Sequence, residues 1–341
     1  MPRPASSHVW LDGELVPSDT AHISVYDRGF QLGDGVFEAL RARRGVPIEL
    51  AGHLARLHDS LTALAFDLPF DDSVVAAGIE ELLAIEGLAG VEPLEGGEPL
   101  GGGEPLGGIE ARGGETTGAG GGANRTPGDA VIRITVSRGF DPTRGVLPGP
   151  IGPATVAIQA WPYGPPPARA LEQGERFITS CIHRDAESPV SGIKTTSRAE
   201  LVYARIEARR AGADDAIFLT PDGRITEATT SNILLISGDV CATPRLGTGL
   251  LAGTTRAWLV EHGDSVGLAM VERDLRLQDA FATDEMAICA SIGGVIPVTS
   301  LDGKPIGSGR PGPRTIAMRA ARERWIDLVS IEGARARLAR S

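Results

Sequence analysis

Of the 33 basic residues in this chain only two are lysines, Lys194 and Lys304; the rest are arginines. Arginine stays protonated to about pH 12, whereas a lysine amine can be desolvated, neutralised and used as a nucleophile. A lysine kept in so arginine-rich a chain is therefore a candidate for work that arginine cannot do. Lys304 lies in Leu301-Asp302-Gly303-Lys304-Pro305, a turn sequence, and reads as exposed. Lys194 lies in Ser191-Gly192-Ile193-Lys194-Thr195-Thr196, between a strand pattern and a helix pattern, where side chains are presented to sites. An amine nucleophile calls for a carbonyl electrophile. Glu227, in Ile225-Thr226-Glu227-Ala228-Thr229-Thr230-Ser231, offers an acid at a strand end among small polar residues. Such a pair suits pyridoxal phosphate (PLP), an aldehyde cofactor whose ring nitrogen needs an acidic partner to act as an electron sink.

A phosphate also needs a seat. Leu251-Ala252-Gly253-Thr254-Thr255-Arg256 opens a helix pattern, with free backbone N–H groups, a glycine permitting close approach, and two hydroxyls. Ser291-Ile292-Gly293-Gly294 follows a strand pattern and can add donors, and Arg56 can add a charged fork. Other matches fail on context. Gly307-Ser308-Gly309-Arg310-Pro311-Gly312 fits a GxGxxG spacing but follows a turn and contains proline, so it is no dinucleotide loop. The histidines have no zinc-like spacing beyond His53 and His58, which lack further ligands nearby, so no metal is expected.

The elements that must position these residues are mixed. Strand patterns cover 36–43, 131–136, 155–161, 176–183, 216–219, 225–228, 232–237 and 286–290. Residues 8–15 read as a hairpin around Asp12-Gly13. Helix patterns cover 50–65, 72–88, 198–212, 254–262 and 313–328. In the helix at 198–212 the spacing places Ala199, Val202, Ile206 and Ala211 on the apolar side. The order lacks strict strand–helix alternation, which predicts an α/β (α+β) protein of two domains: 1–161 and 169–341, joined by a Pro-rich linker at 162–168.

Composition narrows the function. Fifteen of the 45 glycines fall between Gly87 and Gly122, where Glu-Pro-Leu recurs every six residues without aromatics. Such a segment cannot bury enough apolar area to offset chain entropy, so 87–128 reads as a disordered surface loop. The net charge of −11 disfavours nucleic acid as a partner. Three scattered cysteines form no metal or disulfide pattern, and there is neither a signal-like h-region nor a membrane-length apolar run. A cytoplasmic protein is expected.

Taken in order, the motifs resemble the class IV aminotransferases, the fold type IV PLP enzymes. They are DRGFQLGDGVFEALR (27–41), HLARL (53–57), SRGFDPTRG (137–145), GIKTTSRAE (192–200), the run from Gly212 to Leu235, TPRLGTGLLAGTTR (243–256) and ASIGGVIPV (290–298). The resemblance implies a two-domain fold with the cofactor in the interdomain cleft, in a homodimer. It implies Lys194 as the Schiff-base lysine and proton shuttle and Glu227 as partner of the ring nitrogen. Arg56, Thr254, Thr255, Ser291 and Ile292 would form the phosphate cup, Thr254 and Ile292 through backbone N–H. Arg144 would bind the substrate carboxylate, as in D-amino-acid aminotransferases, and Phe30 and Phe37 would line the substrate pocket. Two reactions stay open. One is transfer of an amino group between an amino acid or amine and a 2-oxo acid. The other is the aminodeoxychorismate lyase reaction, which expels pyruvate. Ala199 stands where branched-chain enzymes carry tyrosine, and Ser197-Arg198-Ala199-Glu200 resembles the lyases. The run 301–313 is closer to the aminotransferases.

Overall fold

The computed structural model describes residues 6–90, 128–143, 145–149 and 152–338. Strands β1 (His8–Leu11), β2 (Glu14–Pro17), β3 (Gly35–Arg43), β4 (Val46–Pro47), β5 (Ala130–Ser137) and β6 (Thr155–Pro162) form one sheet, in the order β2-β1-β6-β5-β3-β4. Helices α1 (Arg28–Leu32), α2 (Leu50–Ala63) and α3 (Asp72–Ile85) accompany it. Alternation along β3 sends Val36, Glu38 and Leu40 to one face. On that face Val36 and Leu40 join Leu54, Leu57 and Leu61 of α2 in the core. Glu38, fully buried among them, must therefore find polar partners on α2.

The chain leaves this sheet at Pro162. It continues as α4 (Ala168–Glu172), β7 (Glu175–His183), α5 (Ala199–Arg210), β8 (Asp215–Leu219), β9 (Ile225–Ala228), β10 (Asn232–Ser237) and β11 (Val240–Pro244). Then come α6 (Thr254–His262), β12 (Ala269–Arg273), α7 (Leu277–Ala282), β13 (Glu285–Ala290), β14 (Gly294–Leu301), β15 (Lys304–Pro305) and α8 (Pro313–Leu338). The second sheet runs β12-β11-β10-β13-β14-β7-β8-β9, and β15 pairs with β14. One further pairing, Asn232 with Glu227, joins β10 to β9 and closes β10-β13-β14-β7-β8-β9 into a ring. Closure removes exposed strand edges and puts Glu227 at the seam. The fold is a mixed α/β one, as the element patterns predict.

Three expectations need correction. Helix α5 buries Leu201, Ala204 and Ala208, not Val202 and Ile206, which are exposed. The small alanines let the helix approach the sheet closely at Ala216 and Phe218. Helix α8 continues ten residues past the expected end, and Arg337 donates to the carbonyls of Gly45 and Arg44. The acidic, Gly-rich segment does not begin as a loose loop. Leu88 is buried in the first core and the N–H of Gly45 donates to Gly128 O at 2.7 Å. The centre of that segment, 91–127, lies outside the described residues.

Candidate active site

A cavity of about 550 Å³ has walls from both halves of the chain: Arg56 from α2, and Lys194, Arg198, Glu227, Thr255 and Ser291 from the chain after Pro162.

Lys194 reaches this cavity because its segment is stitched to the first sheet. Its carbonyl accepts from Phe37 N–H at 2.9 Å, and Thr196 N–H donates to Gly35 O at 2.8 Å. Ser60 Oγ, on α2, accepts from Lys194 N–H at 3.3 Å. The amine lies 4.9 Å from the centroid of the Phe37 ring. Burial first, then the positive charge of Arg56, pull the amine down to about 8, and Arg198 pulls the same way. The carboxylates of Glu38 and Glu227 act against them. An amine so placed holds a far larger neutral fraction near physiological pH than an ordinary lysine, and that fraction can attack a carbonyl.

Glu227 shows the opposite shift. Burial raises its carboxyl, and the neighbouring Arg184 opposes that. Arg184 Nη2 lies 3.2 Å from Oε1, and Leu251 N–H donates to Oε2 at 3.1 Å. Strand pairing with β10 and these two partners fix the carboxyl's orientation.

The start of α6 supplies an anion seat. Gly253 is its cap residue, in extended conformation, with no side chain capping the first turn. A methyl carbon on Gly253 would collide with Asn232 Oδ1, so only glycine fits. Thr255 Oγ1 is buried without a hydrogen-bond partner. A buried hydroxyl of this kind, beside free N–H groups on a cavity wall, suits a phosphate ester. Arg56 closes the seat from the other half. Its Nε and Nη2 donate to Glu38 Oε1 and Oε2, each at 2.7 Å, and Nη1 donates to Ala252 O at 2.7 Å. His53 Nδ1 bonds Glu38 Oε2 at 2.7 Å, and its Nε2 lies 3.4 Å from Thr254 Oγ1. Burial would raise Glu38, but its bonds to Arg56 and His53 outweigh that and bring it down to about 2.

Of the sequence candidates, Lys194, Glu227, Arg56, Thr254, Thr255 and Ser291 share the cavity. Ile292 is half-buried next to Ser291 but does not line it. Phe37 is buried against Lys194 without lining the cavity. Phe30 is not brought to the site: it is 69% exposed on α1. A five-residue helix capped by Asp27 holds its ring outward. Arg144 lies outside the described residues. Sequence reasoning missed Glu38, His53, Arg184 and Arg198. The inward face of β3 was a usable signal for Glu38, since a charge between Val36 and Leu40 breaks the apolar alternation.

Residues 35–98 and 115–301 match the family Amino-transferase class IV. A putative branched-chain-amino-acid aminotransferase of Methanocaldococcus jannaschii is 29% identical over 310 residues, covering 90% of this chain and 92% of its own. The D-alanine aminotransferase of Bacillus licheniformis is 26% identical over 313 residues, covering 92% and 95%. Among solved structures, the T.th. branched-chain amino acid aminotransferase with pyridoxamine 5'-phosphate has a TM-score of 0.78 at 24% identity, over 94% of each chain. A family match that spans most of both sheets and brackets the lysine, the acid and the anion seat leads to one assignment: the chain belongs to the class IV aminotransferases, which work with pyridoxal phosphate.

Proposed function

We propose that this chain transfers amino groups between an amino acid, or an amine, and a 2-oxo acid, with Lys194 as the residue that bonds the cofactor and moves the substrate's Cα proton. The observation that carries this is the pairing, in one cavity, of a lysine amine drawn down to about 8 with a carboxyl raised by burial. Pyridoxal phosphate supplies an aldehyde and an electron-withdrawing ring. With that group bound, the Lys194 amine would take the substrate's Cα proton and hold it in reach for return at the neighbouring carbon. Glu227, oriented by Arg184 and Leu251, keeps a proton at the ring nitrogen. The α6 start, Thr255 and Arg56 would bind the phosphate, with Ser291 completing that seat from the lining and Ile292, set back from it, offering only its backbone N–H. Arg144 binds the substrate carboxylate. Residues 1–161 and 169–341 act as the two domains of this cleft.

The same reading includes a homodimer in the cytoplasm. The dimer is supported by an exposed apolar patch: Val25 and Phe30, beside Phe140, Val146 and Leu147. The two groups are tied together by Arg28, which donates to the carbonyls of Gly145 (2.9 Å) and Val146 (2.7 Å). Exposed apolar patches of this kind mark protein interfaces.

The deciding experiment is a panel of amino donors read as 2-oxo acid formation, run beside aminodeoxychorismate with pyruvate detection. Transamination in the wild type, with the visible cofactor band lost in Lys194→Ala, supports the proposal. Pyruvate release without transamination overturns it in favour of the lyase.

A further inference from the structure

We propose that Arg198 contacts the cofactor's 3-hydroxyl oxygen, giving it a hydrogen bond and a positive charge. This rests on the placement of Lys194 and Glu227 proposed above. Pyridoxal phosphate has its aldehyde carbon and ring nitrogen at opposite ends of one axis, with the phosphate arm on one side of that axis and the phenolic oxygen on the other. Lys194 and Glu227 fix the ends of the axis. The α6 start, Thr255 and Arg56 fix the phosphate side. The phenolic oxygen therefore needs a partner away from the phosphate seat, and Arg198 is a further cation that lines the same cavity.

Three observations place it. It lines the same cavity as Lys194 and Glu227, and its charge adds to that of Arg56 in lowering the Lys194 amine. Its guanidinium carbon lies 5.3 Å from the centroid of the Phe37 ring, the same ring that Lys194 Nζ approaches. Its one protein hydrogen bond runs from Nη2 to Thr229 O at 3.3 Å, and among the described residues no carboxylate lies within ion-pair distance of it. The other nearby arginines are committed elsewhere. Arg184 pairs with Glu227, and Arg133 lies 4.0 Å over Phe37 and donates to Thr135 Oγ1. A half-buried guanidinium facing a cavity without a carboxylate in ion-pair contact suits an anionic oxygen. Burial, reinforced by Arg184 and Arg133 against the pull of Glu227, lowers Arg198 to about 10, so it remains a cation through neutral pH.

A positive charge beside that oxygen favours its ionised form and disfavours protonation of the neighbouring nitrogen. The test is a pH titration of the visible absorption band in the cofactor-loaded protein, comparing wild type, Arg198→Leu and Arg198→Lys. The charges facing this site are Lys194, Glu227, Arg184 and Arg133, with Arg56 and Glu38 behind Lys194, and Asp34, His183, Asp185 and Glu200 elsewhere on the cavity lining. All are common to the three proteins, so a difference between them reports position 198. The expected result is a midpoint about one unit higher in Arg198→Leu, a tenfold change in proton affinity, with most of it restored in Arg198→Lys. An unchanged midpoint in Arg198→Leu overturns the proposal. So does a defect confined to KM for dicarboxylate substrates, which would make Arg198 a substrate-carboxylate residue. If Arg198→Leu holds no cofactor, Arg198→Gln and Arg198→Lys decide by the same midpoint. A wild-type band that survives Lys194→Ala would instead sink the underlying lysine assignment.

Discussion

The depressed Lys194 amine can be measured directly, because Lys304 is the only other lysine. Reductive ¹³C-methylation of the cofactor-free protein gives two lysine side-chain resonances, and Lys194→Arg assigns them. The Lys194 resonance should titrate with a midpoint of about 8 rather than the ordinary 10.5. At pH 8 half of the amine is then neutral, against about 0.3% for an ordinary lysine, a gain in nucleophile of about 150-fold. The full depression corresponds to about 3 kcal/mol of preference for the neutral form. Burial leads and Arg56 comes second, so Arg56→Leu should raise the midpoint by about one unit without restoring 10.5. Glu38 acts in the opposite sense: its carboxylate supports the charged amine, so Glu38→Gln should lower the midpoint below about 8. The opposite signs are the diagnostic. A wild-type midpoint at or above 10, or both variants moving the same way, would refute the electrostatic reasoning and leave simple loosening of the site as the cause.

Glu38 also sets an acid limit. Its carboxyl is held to about 2 in the fold, so the stability it confers is complete above its ordinary 4.5 and is lost as pH falls from there toward 2. Glu38→Gln should flatten that limb of a thermal-melt series between pH 5 and 3. Gly253→Ala should weaken PLP affinity at least tenfold in equilibrium titration, because the new methyl must displace Asn232 or shift the first turn of α6. Leu88→Ala should cost about 3 kcal/mol, lowering Tm on the order of 5 °C. Deleting 91–127 and joining Gly90 to Gly128 should leave Tm within about 2 °C. A methyl carbon on Gly128 would lie only 2.7 Å from Gly90 Cα, so the two ends already meet.

What the sequence revealed was local. The scarcity of lysine singled out Lys194, and the run of small polar residues after Glu227 marked a strand end, because both are matters of residue type and near neighbours. Likewise Gly253-Thr254-Thr255 announces a helix start by its own chemistry. Contacts across long separations left weaker traces. Arg56 reads as a phosphate fork in the sequence, yet the fold also ties it to Glu38 and to Ala252, 196 residues away. His53 looked idle beside His58, but the packing of α2 on β3 buries it between Glu38 and Thr254. The misread face of α5 has a related cause. Apolar bulk suggested Val202 and Ile206, whereas the sheet accepts Ala204 and Ala208, whose smallness matters only once the partner surface is known.

The lone pairing between Asn232 and Glu227 ties the site's orientation to strand parity. Successive residues of a strand point to opposite faces, so a slip of one position would turn the Glu227 carboxyl away from the cavity. Only Thr229, Thr230 and Ser231 separate the strand end after Glu227 from Asn232. A change in the length of that turn would set the Asn232–Glu227 pairing against the register that β8 imposes on β9, Ile217 with Ala228 and Leu219 with Ile225, so one of the two pairings must give. Length at this corner, more than residue identity, decides whether Glu227 stays registered to both of its neighbouring strands.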